Sequence, residues 1–260
     1  MRPASLLLLL LASLLIHFHH HHHRAHADCE PATCGNLTVR YPFWLGGGGS
    51  NQSSSLCGHP AFEVLCSDDG SSAASLKGST LQVRSINYTN SSFIASDTRT
   101  TAGNGGVCRA HLNMSATVSP SAFTISRRNR ALCFFYNCNG TKPSQRGYVN
   151  ATSNCSTPIF AYLAGSYNWD SPPAIATGQC SFTYTPVFGS EPEAMTAANY
   201  SRLLNDGFVM EWAATSVGDC SGCTASGGQC RYNSATAALA CLCPDGNLQR
   251  STCAANGEFQ

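Results

Sequence analysis

Cysteine is the residue type in this sequence whose number and spacing could support the most chemistry. The chain has 15 cysteines, all between Cys29 and Cys253. Cysteine can bind zinc, act as a nucleophile or pair as a disulfide, and the redox compartment decides between these fates. Residues 1–27 predict a cleavable export signal, with an apolar run from Leu6 to Ile16 and the small-x-small site Ala25-His26-Ala27. We therefore expect disulfides and a mature chain outside the cell.

The odd number of cysteines leaves at least one of them without an intramolecular disulfide partner. A free buried thiol, a mixed disulfide and an intermolecular bridge are all compatible with the sequence, and spacing does not determine connectivity. The disulfide candidates are Cys29, Cys34, Cys57, Cys66, Cys108, Cys133, Cys138, Cys155, Cys180, Cys220, Cys223, Cys230, Cys241, Cys243 and Cys253.

A zinc site is the main alternative for the cysteine-dense end of the chain. Cys220-x-x-Cys223 is followed by Cys241-x-Cys243, but zinc sites prefer pairs separated by two to four residues, and Leu242 stands alone between the second pair. An oxidising compartment also favours disulfides. We expect no metal and no cofactor.

The remaining chemistry-bearing residues do not form an enzyme signature. Asp68 and Asp69 are adjacent in a Gly/Ser-rich loop, which is typical of turn residues. His59 and His111 are the only histidines after the export region, and neither lies in a hydrolase motif. Nucleophile-elbow, metalloprotease, phosphate-loop and kinase patterns are all missing from the sequence. The sequence predicts a protein without catalytic activity.

Two groups of residues are candidates for ligand binding. The aromatic residues Tyr41 and Trp44 could stack on sugar rings, and the guanidinium groups of Arg127, Arg128 and Arg130 could bind carboxylates. Core packing is the alternative for the aromatic residues, since they supply large buried area in small domains. A solvated loop is the alternative for the arginines.

Charge is distributed unevenly along the chain. Residues 28–150 contain ten Lys or Arg and six Asp or Glu, a net charge of +4. Residues 151–260 contain three and eight respectively, a net charge of −5. Summed surface charge raises the local concentration of oppositely charged ligands. The first half therefore favours an anionic partner, and the reversal of sign supports two modules.

Asn-x-Ser/Thr sequons indicate a glycosylated surface. In an exported chain each one is an acceptor for an N-linked glycan. The nine sequons begin at Asn36, Asn51, Asn87, Asn90, Asn113, Asn139, Asn150, Asn154 and Asn199.

The elements that must position these residues are predicted to be short strands. Only 11% of the residues are charged, and Gly, Ser, Thr and Asn separate the apolar stretches. We predict a mostly β, disulfide-rich fold of two small β-rich modules, residues 28–145 and 155–255. The second module should contain one short helix, because Ser190-x-x-Glu193 has capping-box spacing and Gly207 ends the apolar pattern. Strands are predicted at Ala61–Leu65, Leu81–Tyr88, Phe93–Ala95, Phe123–Ser126, Leu132–Tyr136, Ile159–Leu163, Ser181–Thr185 and Phe208–Trp212.

Two ordered strings of residues resemble a known family. Cys29-x4-Cys34-Gly35, Val39-Arg40-Tyr41-Pro42-Phe43-Trp44 and Cys57-Gly58-His59-Pro60-x-Phe62-Glu63-x-Leu65-Cys66 are similar to the galacturonan-binding domain of plant wall-associated receptor kinases. Asn205-Asp206-Gly207-Phe208-x-Met210-x-Trp212, Cys220-x-x-Cys223-x-x-Ser226-Gly227-Gly228-x-Cys230 and Cys241-x-Cys243-x-Asp245-Gly246 resemble the cysteine-rich C-terminal domain that follows it. The leaf-rust-resistance receptor-like kinases are the most similar variety.

The resemblance implies an extracellular, non-catalytic role. In these receptors the two domains precede a transmembrane helix and a serine/threonine kinase, and the first domain is implicated in binding pectin. We expect neither a membrane span nor kinase activity in this chain. The expected function is binding of pectic polysaccharide or oligogalacturonide by a secreted protein of the cell wall. The alternative is a protein-interaction module that acts as a soluble partner or decoy of a membrane receptor kinase in defence signalling.

Overall fold

The strands and helices are described for most of the chain after the export region. The computed structural model describes residues 29–47, 56–67, 73–100, 106–108, 122–138, 146–152, 155–168, 170–175, 177–188 and 196–253. The predicted signal peptide 1–27 lies outside these residues, as do His111, the pair Asp68-Asp69 and the sequons at Asn51, Asn113, Asn139 and Asn154.

Strands dominate the described part of the chain, which confirms the mostly β prediction. Three short α-helices accompany them: α1 (Tyr200–Asp206), α2 (Ala214–Val217) and α3 (Ser221–Ala225). The strands are β1 (Ala32–Cys34), β2 (Leu37–Val39), β3 (Trp44–Gly46), β4 (Glu63–Cys66), β5 (Ala74–Leu76), β6 (Leu81–Asn87), β7 (Ser92–Asp97), β8 (Thr124–Ile125), β9 (Arg130–Tyr136), β10 (Val149–Asn150), β11 (Phe160–Ser166), β12 (Ser181–Val187), β13 (Phe208–Glu211), β14 (Gln229–Asn233), β15 (Ala238–Leu242) and β16 (Leu248–Gln249).

Four sheets are formed by these strands. The largest has the order β3-β4-β5-β6-β7-β13-β8, in which β3 and β4 are parallel and the other pairs are antiparallel. A second sheet has the order β10-β11-β9-β12, and the smaller sheets are β1-β2 and β14-β15-β16. The sheets follow the sequence pattern: in β6, Leu81 and Val83 are buried while Gln82 is half-buried and Arg84 exposed, as expected for a strand with one face on the core.

The core of the seven-stranded sheet is an aromatic cluster around Phe43. The Phe43 ring meets those of Phe62, Phe93 and Trp212 edge to face, with centroids 4.9, 5.5 and 5.3 Å away. Such pairs contribute about 0.5–1.5 kcal/mol each beyond the area that they bury. Trp212 directly follows β13, so the far end of the chain completes a core that the first strands begin. Phe43 and Phe62 are completely buried.

Seven disulfides link fourteen of the cysteines, which confirms the disulfide-rich prediction. Three of them hold the segment from Cys220 to Cys253, where the β14-β15-β16 sheet has few apolar residues of its own. The Sγ atoms of Cys241, Cys243 and Cys253 lie within 4.8 Å of one another, but each of these cysteines is in a disulfide. The pairs are Cys29–Cys57, Cys34–Cys66, Cys108–Cys155, Cys138–Cys180, Cys220–Cys230, Cys223–Cys241 and Cys243–Cys253.

Cys133 is the free cysteine, and it is completely buried in β9. Burial raises the pKa of its thiol to about 12, so the thiol is protonated at physiological pH. A protonated, buried thiol is neither a nucleophile nor accessible to another chain. Of the three alternatives for the odd cysteine, the structure supports the free buried thiol.

Two local features position the ends of elements. Strand β2 ends at Val39, the chain turns at the cis peptide bond Tyr41-Pro42, and β3 starts at Trp44. The predicted helix is confirmed as α1, which ends before Gly207 at φ 82°. It follows a 3₁₀ turn capped by Thr196, while Ser190 and Glu193 lie outside the described residues.

The predicted modules, residues 28–145 and 155–255, share sheets. Strand β9 pairs with β11 and β12, and β13 pairs with β7 and β8. Main-chain hydrogen bonds therefore join strands of the first predicted module to strands of the second in both of the larger sheets. The module limits remain a prediction, and they do not correspond to separate sheets.

Candidate ligand-binding site

A concavity beside β2 and β6 brings two arginines and a tyrosine together. Its volume is about 480 Å³, and we call it the arginine depression. Among the described residues no carboxylate lines it, and neither Arg40 nor Arg84 is ion-paired with a carboxylate. The lining residues are Pro31, Asn36, Leu37, Thr38, Arg40, Arg84, Ser85, Ile86 and Tyr88.

Tyr88 determines where Arg40 lies. The Arg40 Cζ atom is 4.5 Å from the centroid of the Tyr88 ring, a cation–π contact worth about 0.5–1 kcal/mol at an exposed site. The main-chain N–H of Arg40 donates to Tyr88 Oη at 2.9 Å, and Tyr88 Oη donates to the Thr38 carbonyl at 3.0 Å. Burial raises the pKa of Tyr88 to about 12, although Arg40 opposes the shift. The hydroxyl therefore keeps its proton, and with it the ability to donate, at physiological pH.

The core in turn holds Tyr88. Its ring meets Phe43 and Trp212 at centroid distances of 6.3 and 6.4 Å, so one edge belongs to the aromatic cluster. The same ring also carries the guanidinium of the exposed Arg40. Tyr88 thus links the rigid core to an exposed positive charge.

Arg84 reaches the depression because of a β-bulge. The pairing of β6 with β7 shifts by one residue between Val83 and Ser85, which leaves Arg84 as the extra residue. A bulge re-aims side chains locally and is common next to functional sites. Arg84 Nε donates to Ser96 Oγ at 2.8 Å, which fixes the side chain of this exposed residue.

Two further concavities border the arginine depression. The β5–β6 depression, of about 360 Å³, shares Asn36, Leu37 and Arg84 with it. A larger concavity, of about 810 Å³, shares Pro31, Arg40 and Tyr88 with it. We call it the interface groove, because residues of the cysteine-rich end, including Asp219 and Gln229, also line it. The arginine depression and the β5–β6 depression adjoin at their shared residues, and we call these two depressions together the ligand tract, a shape that suits an extended polymer.

The aromatic residues predicted to bind ligand are mostly buried. Tyr41 is 7% exposed, donates its hydroxyl to the Val217 carbonyl and packs against the cysteines of the β14-β15-β16 sheet. Burial also raises the pKa of Tyr41. Trp44 is 7% exposed, donates from Nε1 to the His59 carbonyl at 3.1 Å and packs on the Cys29–Cys57 disulfide. Stacking on a sugar needs an accessible ring face, so these contacts favour packing roles, although Tyr41 also lines the interface groove.

The three predicted arginines do not form one cluster of available charges. Arg128 pairs with Glu211 at 3.2 Å. Arg130 donates from Nε to the Ala164 carbonyl at 3.1 Å. Arg127 is exposed and makes no ion pair with the described residues. The binding roles of Tyr41, Trp44, Arg127, Arg128 and Arg130 remain predictions.

His59 has a structural contact rather than a catalytic one. Its Nδ1 accepts from the main-chain N–H of Ala61 at 3.2 Å and caps the 3₁₀ turn Pro60–Phe62. Burial lowers the pKa of His59, and a neutral imidazole is what this capping hydrogen bond needs. His59 therefore stabilises the local structure by capping this turn.

The sequence pattern marks Arg40 and Arg84 as surface residues, but neither was among the predicted site residues. Val39 and Tyr41 are buried and Arg40 between them is exposed, the alternation expected beside a core-facing strand. The same alternation in β6 makes Arg84 a surface residue. The alternation does not predict the bulge, which brings Arg84 to the same concavity as Arg40.

Sequence families agree with this architecture. Residues 29–97 match the family described as wall-associated receptor kinase galacturonan-binding, and the arginine depression lies within this range. Residues 137–246 match the family described as wall-associated receptor kinase C-terminal. The chain therefore contains two domains of the extracellular part of wall-associated receptor kinases, neither of which is catalytic.

Individual relatives are leaf rust 10 disease-resistance locus receptor-like protein kinases of Arabidopsis thaliana. The chain is 28% identical to kinase-like 1.2 over 230 residues, which are 86% of this chain and 33% of that protein. It is 27% identical to kinase-like 2.8 over 208 residues, 78% of this chain and 21% of that protein. The chain thus spans about a third or less of these curated relatives. No solved structure matches it.

The matched domains and the seven disulfides are those of a protein exposed outside the cell. The first matched domain is one described as galacturonan-binding, and both matched domains are those of a receptor-like ectodomain. None of the helices among the described residues has the length and apolar character needed to cross a membrane.

Proposed function

We propose that this protein is secreted and binds galacturonan through the arginine depression, without transforming it. Arg40 and Arg84 would each meet a galacturonate carboxylate, because a guanidinium group presents paired N–H donors that match the two oxygens. Ser85 lines the same concavity and offers a hydrogen bond to a sugar hydroxyl group. The observation that carries the proposal is a concavity with two arginines and, among its described lining residues, no carboxylate.

Affinity would come from several weak contacts along a polymer. An exposed ionic contact is worth only about 0–1 kcal/mol, so one galacturonate would bind weakly. A chain of sugars that follows the ligand tract adds contacts without a new loss of translational freedom. Binding should therefore rise with oligogalacturonide length and weaken with added salt, since exposed charges are screened.

The experiment is retention of the full secreted chain on oligogalacturonides of graded length. We compare the wild type with Arg40→Gln/Arg84→Gln and with Arg127→Ala/Arg128→Ala/Arg130→Ala. Loss of retention in the double variant and normal retention in the triple variant are expected. The reverse result would assign recognition to the Arg127–Arg130 turn, and retention by both variants would contradict an ionic site at either place.

The interface groove favours a second candidate function, binding of a protein partner. It is larger than the arginine depression, and its charged lining residues are two carboxylates, Glu30 and Asp219, and one cation, Arg40. The pKa of Asp219 is lowered by hydrogen bonds from Ser221, so its carboxylate stays charged. An acidic groove suits a cationic protein surface better than a polyanion. Light scattering of the protein mixed with the extracellular part of a receptor kinase tests this, with Asp219→Asn expected to weaken any complex.

A further inference from the structure

We infer that an N-linked glycan on Asn36 occupies part of the ligand tract and limits galacturonan binding. This inference rests on the proposed function. Asn36 lines both the arginine depression and the β5–β6 depression, so the sugar attached to it begins at the boundary between two parts of the tract. Asn36 is exposed, and Asn36-Leu37-Thr38 is a sequon.

The turn that carries Asn36 is rigid, which fixes where the glycan starts. Cys34 and Leu37 pair across the β1-β2 hairpin, so Gly35 and Asn36 form its two-residue turn. Gly35 adopts φ 57°, a left-handed conformation that glycine reaches without strain. The Cys34–Cys66 disulfide ties the same turn to β4. A glycan on this turn cannot move away from the tract by a shift of the backbone.

The modification is an ordinary oligosaccharide transfer. The Asn36 side-chain nitrogen forms a bond to the anomeric carbon of a sugar carried on a lipid diphosphate. The bond between that carbon and the phosphate oxygen breaks, and the amide gives up one proton. The product is neutral and bulky, so it offers no carboxylate to Arg40 or Arg84 while it fills space beside them.

A tethered glycan competes effectively even if its contacts are weak. Its effective concentration at the tract is in the millimolar range for a short link, and it is never diluted. A long oligogalacturonide needs both depressions and must displace it, whereas a short fragment needs only the arginine depression. Removal of the glycan should raise the affinity for long oligogalacturonides about three- to tenfold, equivalent to about 0.7–1.4 kcal/mol, with a smaller change for trigalacturonate.

The test uses two independent ways of removing the glycan from the full secreted chain. Asn36→Gln removes the attachment atom, and Thr38→Ala removes the sequon while it keeps Asn36. Thr38→Ser keeps the sequon and is the matched control for the second variant. Ser201→Ala removes the sequon at Asn199, which lies outside the three concavities, and leaves the Asn199 cap in place. Peptide mass spectrometry establishes which sites carry glycan, and calorimetry with long oligogalacturonides measures affinity.

We expect tighter binding for Asn36→Gln and Thr38→Ala, and wild-type affinity for Thr38→Ser and Ser201→Ala. An unmodified Asn36 in the wild-type protein would overturn the inference, as would equal or weaker binding by the two glycan-free variants. If no form of the protein bound galacturonan, the proposed function would be wrong and the inference would fall with it. Equal binding by all forms would overturn the inference alone.

Discussion

Tyr88 should position Arg40, and Tyr88→Phe tests this with the smallest change. The substitution keeps the ring and its cation–π contact but removes an acceptor for the Arg40 N–H and a donor to the Thr38 carbonyl. A hydrogen bond contributes about 0.5–1.5 kcal/mol net, and both of these are at the surface, where water replaces them in part. We expect the free energy of unfolding to fall by about 1 kcal/mol and oligogalacturonide affinity to fall about two- to fivefold.

Tyr88→Leu provides the larger perturbation in the same series. It also removes the cation–π contact, worth about 0.5–1 kcal/mol, and the ring contacts with Phe43 and Trp212. The total loss of stability should be about 2–3 kcal/mol. Urea unfolding with the disulfides intact measures stability, and calorimetry with an oligogalacturonide measures binding.

A double-mutant cycle separates positioning from general stability. Tyr88→Leu and Arg40→Ala should show a coupling in binding of about 0.5–1 kcal/mol, because each variant alone already removes their contact. Zero coupling would refute the idea that Tyr88 acts through Arg40. A loss of stability in Tyr88→Phe with wild-type affinity would limit Tyr88 to a role in the fold.

Three other predictions concern the fold that supports the site. His59 has a lowered pKa, so the unfolded state binds more protons just below pH 6.5, and stability present above that pH should decline as the pH falls. Urea unfolding between pH 7 and 5 should give a flatter profile for His59→Asn, and parallel profiles would contradict this. Gly58→Ala should cost about 1–3 kcal/mol, since a Cβ there would lie 2.5 Å from the Pro42 carbonyl oxygen. Thermal unfolding should show no comparable loss for Gly165→Ala, where nothing lies within 4 Å; equal losses would argue against the close approach. Cys133, with a pKa of about 12, should resist alkylation in the native protein and react in denaturant without reductant as one thiol per chain. Mass spectrometry that found native labelling would contradict the buried thiol.

Much of the fold could be predicted because its signals are local. Alternation of apolar and polar residues marked β6, a short apolar run marked β9, and Gly207 correctly marked the end of α1. The disulfides followed from the number of cysteines and the export signal. The pairing of β13 with β7 could not be predicted, since Phe208–Glu211 is more than 100 residues from Ser92–Asp97 and no local pattern encodes that partner.

The candidate site was harder to predict than the fold. Tyr41 and Trp44 belong to a conspicuous aromatic string, but the same apolar area that suits a sugar also suits a core, and here the core contacts dominate. Arg128 meets Glu211 only through the long-range pairing of β8 with β13. The arginine depression depends on a bulge and on the approach of β2 to β6, neither of which is visible in residue types.

Hydrogen–deuterium exchange with and without bound oligogalacturonide shows whether the ligand lies in the arginine depression. The secreted protein is compared alone and with ligand, and peptides spanning residues 36–40 and 82–88 report on the arginine depression. Binding at Arg40 and Arg84 should slow exchange in these two segments and leave exchange at residues 127–130 unchanged. Protection confined to residues 127–130, or no protection in either depression segment while ligand is bound, would rule out binding at the arginine depression.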